Sequence, residues 1–273
     1  MRSISLFASW PALAVLVLAG CGGEPSSQTN ASNTAATNLA QPPTAAKPVN
    51  DVAISEKAGE IAFEYSWPQA AAGIAELDGW LRGNGERLRK ETMDGGRRDQ
   101  AEAEKAGYPF RGHTYEEHWG VAANLPALLV MQSEGYVYTG GAHGMPIVTT
   151  LIWDREAKKR LATDALLDRA VLDRGLKDRF CAALDAERAK RRGEPVKAGA
   201  RDQLDEFTRC VDLAKQTILP VSLKGQALDT IRVVIMPYEA GPYAEGIYQL
   251  DLPVDAAVLQ AVKPAYKSAF VQA

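Results

Sequence analysis

Three β-like runs in close succession restrict this chain more than any other feature: His113 to Ala123, Leu125 to Tyr138 and Pro146 to Trp153. Only Asn124-Leu125-Pro126 and a glycine cluster separate them, and connections this short favour antiparallel pairing. Upstream, Asp51 to Trp67 alternates apolar positions, with Ile61, Phe63 and Tyr65 on one face, and stops at Pro68 as a strand running into a break. Ala70 to Leu88 places Ile74, Leu77 and Leu81 at helical spacing. Arg89 to Lys105 is charged enough to be a second helical stretch or a solvated loop.

Downstream, Thr163-Asp164 offers a helix cap, and Leu166, Leu167, Val171, Leu172, Leu176 and Phe180 continue an apolar stripe. Arg188 to Arg201 reads as an exposed connection and Asp202 to Lys215 as a further helix. Thr217 to Leu223, Thr230 to Met236 and Gly246 to Leu252 have strand character, and Asp255 to Phe270 is helical with a break at Pro264. This order predicts an α+β fold with a mainly antiparallel sheet and helices packed on it. Its two intimately associated halves are 51–160 and 161–273.

The first 50 residues differ in kind. Ile4 to Ala19 is largely apolar behind Arg2, the layout of a signal peptide over residues 1–20. It closes on Leu18-Ala19-Gly20-Cys21, which resembles the lipobox of bacterial lipoproteins. That resemblance implies that Cys21 is acylated and holds the chain to a lipid bilayer. Gly22 rather than Asp follows the cysteine, which implies the outer membrane, facing the periplasm, in a two-membrane envelope. Residues 21–50 are rich in Ser, Thr, Asn, Gln, Ala and Pro, too polar to repay ordering entropy, and form a disordered tether. As a flexible coil it spans roughly 30 Å.

About 220 residues remain, enough for a substantial core. A formal net charge of −3 gives no electrostatic footprint for nucleic acid, and the short basic run Arg188 to Arg192 is expected to be a solvated helix face. Cys181 and Cys210 are expected to form a disulfide in an oxidising compartment, with free thiols or a metal pair as the alternatives.

Two stretches stand apart from ordinary patterning. One is Tyr136-Val137-Tyr138-Thr139-Gly140-Gly141-Ala142-His143-Gly144, the other Met236-Pro237-Tyr238-Glu239-Ala240-Gly241-Pro242-Tyr243-Ala244-Glu245-Gly246. Each follows a strand and presents aromatic and polar side chains at a turn. In this order, and with Thr163-Asp164-Ala165-Leu166-Leu167 between them, they resemble an extracytoplasmic domain family. It is the family shared by the lysozyme-sensing anti-sigma factor RsiV and the non-catalytic N-terminal region of the peptidoglycan deacetylase PdaC.

The resemblance implies an envelope domain that binds something, lysozyme-like muramidase or peptidoglycan, and does not imply catalysis. Neither a sigma-binding segment nor a deacetylase domain is expected. Tyr138, His143, Tyr238, Glu239 and Tyr243 are the candidate ligand-binding residues. If His143 and Glu239 lie together they could begin general-base chemistry, which leaves an envelope hydrolase as one alternative. A structural lipoprotein without a soluble ligand is the other. No cofactor is expected, and no metal, because His113 and His118 fall on different faces of a strand or a helix.

Overall fold

β1 (Val52–Ala58) and β2 (Ile61–Trp67) occupy the stretch that the alternation presented as a single strand. Gly59, at φ +60°, reverses the chain between them, a conformation that costs a residue without Cβ little. The computed structural model describes residues 51–196 and 207–273, all within one compact unit. The leader, Cys21, the tether and the segment 197–206 lie outside the described residues.

After the short α1 (Gln69–Ala72), α2 (Ala75–Ala106) runs unbroken for 32 residues, so the charged stretch to Lys105 is its second half and not a loop. Glycines inside a helix cost about 1 kcal/mol each relative to alanine, and α2 carries Gly79, Gly83, Gly85, Gly95 and Gly96. Two of them are required by close approach. A Cβ on Gly85 would stand 2.7 Å from the Tyr65 ring, and one on Gly96 2.8 Å from Ile61. The helix thereby rests directly on β2, and it supplies the crossover that lets β3 (His113–Asn124) pair parallel with β2.

From β3 the chain forms the expected antiparallel meander through β4 (Leu128–Tyr138) and β5 (Met145–Asp154), extended by β6 (Lys159–Leu161). The sheet order is β1-β2-β3-β4-β5-β6. β4 is buried on both faces. Leu129 and Met131 join Ile61, Phe63 and Trp119 in the core beneath α2, whereas Leu128 and Val130 join the core of the second half.

That second half contains α3 (Thr163–Leu166), α4 (Arg169–Arg192), a separate antiparallel sheet and α5 (Ala256–Ala261), followed by a 3-10 turn, Pro264–Ala269. The sheet is β7 (Thr217–Val221), β8 (Thr230–Ile235) and β9 (Tyr248–Pro253). Thr163 does not cap the long helix. Its hydroxyl donates to Ile218 O at 2.8 Å, and Asp168 caps α4 by accepting from Val171 N at 3.0 Å.

The helix expected over 202–215 is absent from its described part, where Leu213–Lys215 makes one 3-10 turn. Cys181 on α4 and Cys210 form the disulfide, with their Cα atoms 5.3 Å apart. The architecture is thus α+β, mainly antiparallel, with helices packed on the sheets. Among the described residues no helix is long and apolar enough to cross a membrane.

Candidate functional site

The β4–β5 connection and the β8–β9 connection come from different sheets and interlock. Gly144 is the joint. Its N–H donates to Tyr136 Oη at 2.9 Å, and its carbonyl accepts from Tyr243 Oη at 2.8 Å. A side chain cannot be added here: a Cβ on Gly144 would lie 2.3 Å from the Tyr136 ring and 2.5 Å from Val137 O. Gly140, at φ +86°, makes the bend that brings the turn back.

His143 stacks on Tyr243 with ring centroids 4.1 Å apart and reaches Tyr238, whose hydroxyl is 3.2 Å from Nε2. Nδ1 lies 2.9 Å from Gly144 O, which can only accept, so Nδ1 carries the proton and Nε2 accepts from Tyr238 in the neutral ring. Burial, reinforced by the neighbouring Tyr136 and Tyr238 hydroxyls, pushes the Tyr243 hydroxyl above its ordinary value, so it remains a donor. Tyr238 is 50% exposed and sits at φ +72°, a left-handed conformation that is uncommon for a bulky residue. Its N–H donates to Gly141's counterpart across its own turn, Gly241 O, at 3.0 Å.

The structure brings His143, Tyr238 and Tyr243 together and leaves the other two candidates beside them. Tyr138 donates to Gly141 O at 3.1 Å and braces its own turn. Glu239 is exposed, and its carboxylate has no partner among the described residues. The imidazole–carboxylate pair of the hydrolase alternative is therefore not formed, because Gly144 and Tyr238 occupy both ring nitrogens. His113 and His118 lie on opposite faces of β3, the first 2.9 Å from Asp99 and the second 2.9 Å from Ser66.

The basic run at the end of α4 is not a solvated face. Arg188 is fully buried, donating to Ala240 O at 2.9 Å and lying 3.4 Å from Asp185. Burial, aided by the charge of Arg192, lowers the pKa of its guanidinium. Arg192 holds Glu245 through Nε at 2.7 Å and Nη2 at 3.0 Å, and Arg191 stacks over Tyr248 at 4.0 Å. Burial by itself would raise the Glu245 carboxyl, but hydrogen bonds from Arg192 and Tyr248 outweigh it and hold the group below its ordinary value. Lys190 is 78% exposed, with its ammonium 3.6 Å from Glu187. The run is the clamp that fixes the tyrosine loop to α4, and sequence reasoning missed it because carbonyl partners leave no residue-type signal.

Residues 54–146 match a family model described as Deacetylase PdaC. No curated protein matches the chain. A DUF3298 family protein from Pseudomonas aeruginosa PAO1 is 17% identical, with 80% of this chain and 94% of that one covered at a TM-score of 0.47. A DUF3298 member from Bacteroides fragilis NCTC 9343 is 14% identical, with 81% and 95% covered at a TM-score of 0.50, and shares the fold. The match over residues 54–146 bears out the resemblance to the PdaC family for this part of the chain, which includes the first of the two motifs and ends before the second.

Proposed function

We propose that this protein is a lipid-anchored cell-envelope binding module whose recognition surface is the interlocked pair of tyrosine-bearing turns. The observation that carries the reading is the exposed Tyr238, held in a left-handed backbone and buttressed by His143 and Tyr243. Strained, fixed backbone concentrates at sites that recognise something, and tyrosine is enriched among the residues that dominate binding energy. Cys21 anchors the module to the outer membrane, facing the periplasm, and the tether gives it reach.

A lysozyme-like muramidase is the favoured partner, with peptidoglycan the second. Glu64 and Glu116 are direct neighbours across the β2–β3 pair, and Glu134 lies opposite His118 on the same face of the sheet. The carboxylates of Glu64, Glu116 and Glu134 are complementary in charge to a cationic protein surface. No bonded pair of His143 and Glu239 supports the hydrolase alternative.

The soluble chain beginning at Gly22 is titrated by calorimetry with lysozyme and separately with muropeptides. Binding to one of them that weakens by about tenfold or more in Tyr238→Ala supports the reading. Lack of binding to both removes these partners, and undiminished binding by Tyr238→Ala removes the turns as the surface.

A further inference from the structure

A second, unrelated feature lies on the other face of the first sheet. Between the first half of α2 and strands β3 to β6 is a cavity of about 340 Å³, at the small end of the range of roughly 300–1,000 Å³ for small-molecule sites. Glu117 lines it and is 2% exposed. One carboxylate oxygen accepts from Ser133 Oγ at 2.7 Å and the other from Tyr115 Oη at 2.7 Å. No cation among the described residues pairs with it. A buried carboxylate without a cation is costly, and two neutral hydroxyls do not compensate its charge.

The walls are aromatic. Trp119 spends its indole N–H on Tyr65 Oη at 2.9 Å, which leaves its ring to the cavity, and Trp80 stands edge-on to it at 6.5 Å. Burial, with a smaller push from Glu117, raises the Tyr65 hydroxyl to about 12. Burial and the same carboxylate also raise Tyr115 far above its ordinary value. Both stay protonated donors at any physiological pH.

At the rim, the Arg160 Cζ lies over the Trp80 ring, 4.0 Å from its centroid, and no carboxylate partners it among the described residues. Arg87, also at the cavity, is already engaged by Glu91 at 2.8 Å and Asn84 at 2.9 Å. The cavity therefore offers a buried anionic acceptor below and an oriented, unpaired guanidinium at its mouth. A neutral ligand leaves Glu117 uncompensated. A simple cation must pass Arg160, and a simple anion meets Glu117.

We propose that this cavity binds a small zwitterion of the amino-acid type, a free amino acid or a short peptide, with its ammonium on Glu117 and its carboxylate on Arg160. The guanidinium fork matches a carboxylate bidentately, and an ammonium between carboxylate and aromatic faces gains both ion pairing and cation–π attraction.

The full chain is titrated with lysine, alanyl-alanine, cadaverine, hexanoate and N-acetylglucosamine, followed by calorimetry and by intrinsic fluorescence, since Trp80 and Trp119 line the site. Lysine or alanyl-alanine should bind, the preference between them separating amino acid from peptide, and both should bind better than cadaverine or hexanoate. Glu117→Gln and Arg160→Gln should each weaken the zwitterion by about tenfold or more, the effect of losing one charge-assisted contact. Arg160 is exposed, so its replacement leaves the fold intact even if Glu117→Gln lowers the melting temperature.

Failure of both zwitterions to bind overturns the proposal, as does binding that neither substitution weakens, or a preference for N-acetylglucosamine. Tyr238→Ala should leave zwitterion binding unchanged, which keeps this result separate from that of the tyrosine turns.

Discussion

Replacing Glu245 by Gln tests whether the α4 clamp holds the tyrosine loop. Arg192 makes two charge-assisted hydrogen bonds to this carboxylate, at 2.7 and 3.0 Å, in a pair whose side chains are only 21% and 15% exposed. Tyr248 donates to it as well. Glutamine keeps one acceptor for Arg192 and turns an N–H₂ toward the remaining donors. With hydrogen bonds to charged groups contributing about 1.5 to 3 kcal/mol, the expected loss is about 2 kcal/mol.

In urea, with a slope near 2 kcal/mol/M, the midpoint should fall by about 1 M at neutral pH with the slope unchanged. The sign of the pH dependence follows from the depressed carboxyl. Its contribution is fully present above the ordinary value of 4.5 and is lost as pH falls through the lower folded value. The difference between wild type and variant should therefore be largest at neutral pH and disappear in acid. A difference under about 0.5 kcal/mol at pH 7, the level of an ordinary surface substitution, or one that persists undiminished in acid, would refute the clamp.

Gly144→Ala should cost about 1 to 3 kcal/mol, because its Cβ meets Val137 O at 2.5 Å and backbone cannot step aside as a side chain can. At about 2 to 4 °C per kcal/mol for a domain of this size, calorimetry should show the melting temperature falling by several degrees. Reducing the Cys181–Cys210 bond frees a loop with a sequence separation of 29 residues. The chain-entropy estimate is about 3.5 kcal/mol, or roughly 10 °C in a melt run with and without reductant. Tyr65→Phe removes the acceptor for Trp119 Nε1 at 2.9 Å and Asn84 Nδ2 at 3.3 Å. The orphaned buried indole N–H should lower stability by about 2 kcal/mol in urea unfolding.

The strands were legible because their faces differ. Ile61, Phe63 and Tyr65 alternate with half-buried neighbours, and the runs from His113 to Trp153 carry their own turn residues. The second half of α2 was obscured by its charge, which suits a solvated loop as well as a helix, and the close approach of Gly96 to β2 is a tertiary reason that local propensity cannot express. The cap at Asp168 was hidden because the apolar stripe begins before it, at Leu166 and Leu167, in the short α3 and the link that follows.

Within the site, the two motifs stood out by their glycines and tyrosines, and the structure does interlock them. Which residue His143 would meet was beyond sequence. Glu239 and Tyr238 are adjacent in the chain, and only the left-handed backbone at Tyr238 decides which side chain turns toward the imidazole. Arg188 to Arg192 misled for a different reason, since a guanidinium can be buried when its partners are carbonyl oxygens and one well-placed carboxylate.

The two-sided burial of β4 separates the unit of descent from the unit of folding. The segment that matches the family model stops at residue 146, the second residue of β5. A fragment cut there would lose Leu151 and Trp153 from one core and Ile152 from the other, and would leave the long edge of β4 bare for pairing with other chains. Transplanting this domain between proteins thus requires carrying both sheets, whatever boundary the sequence similarity suggests.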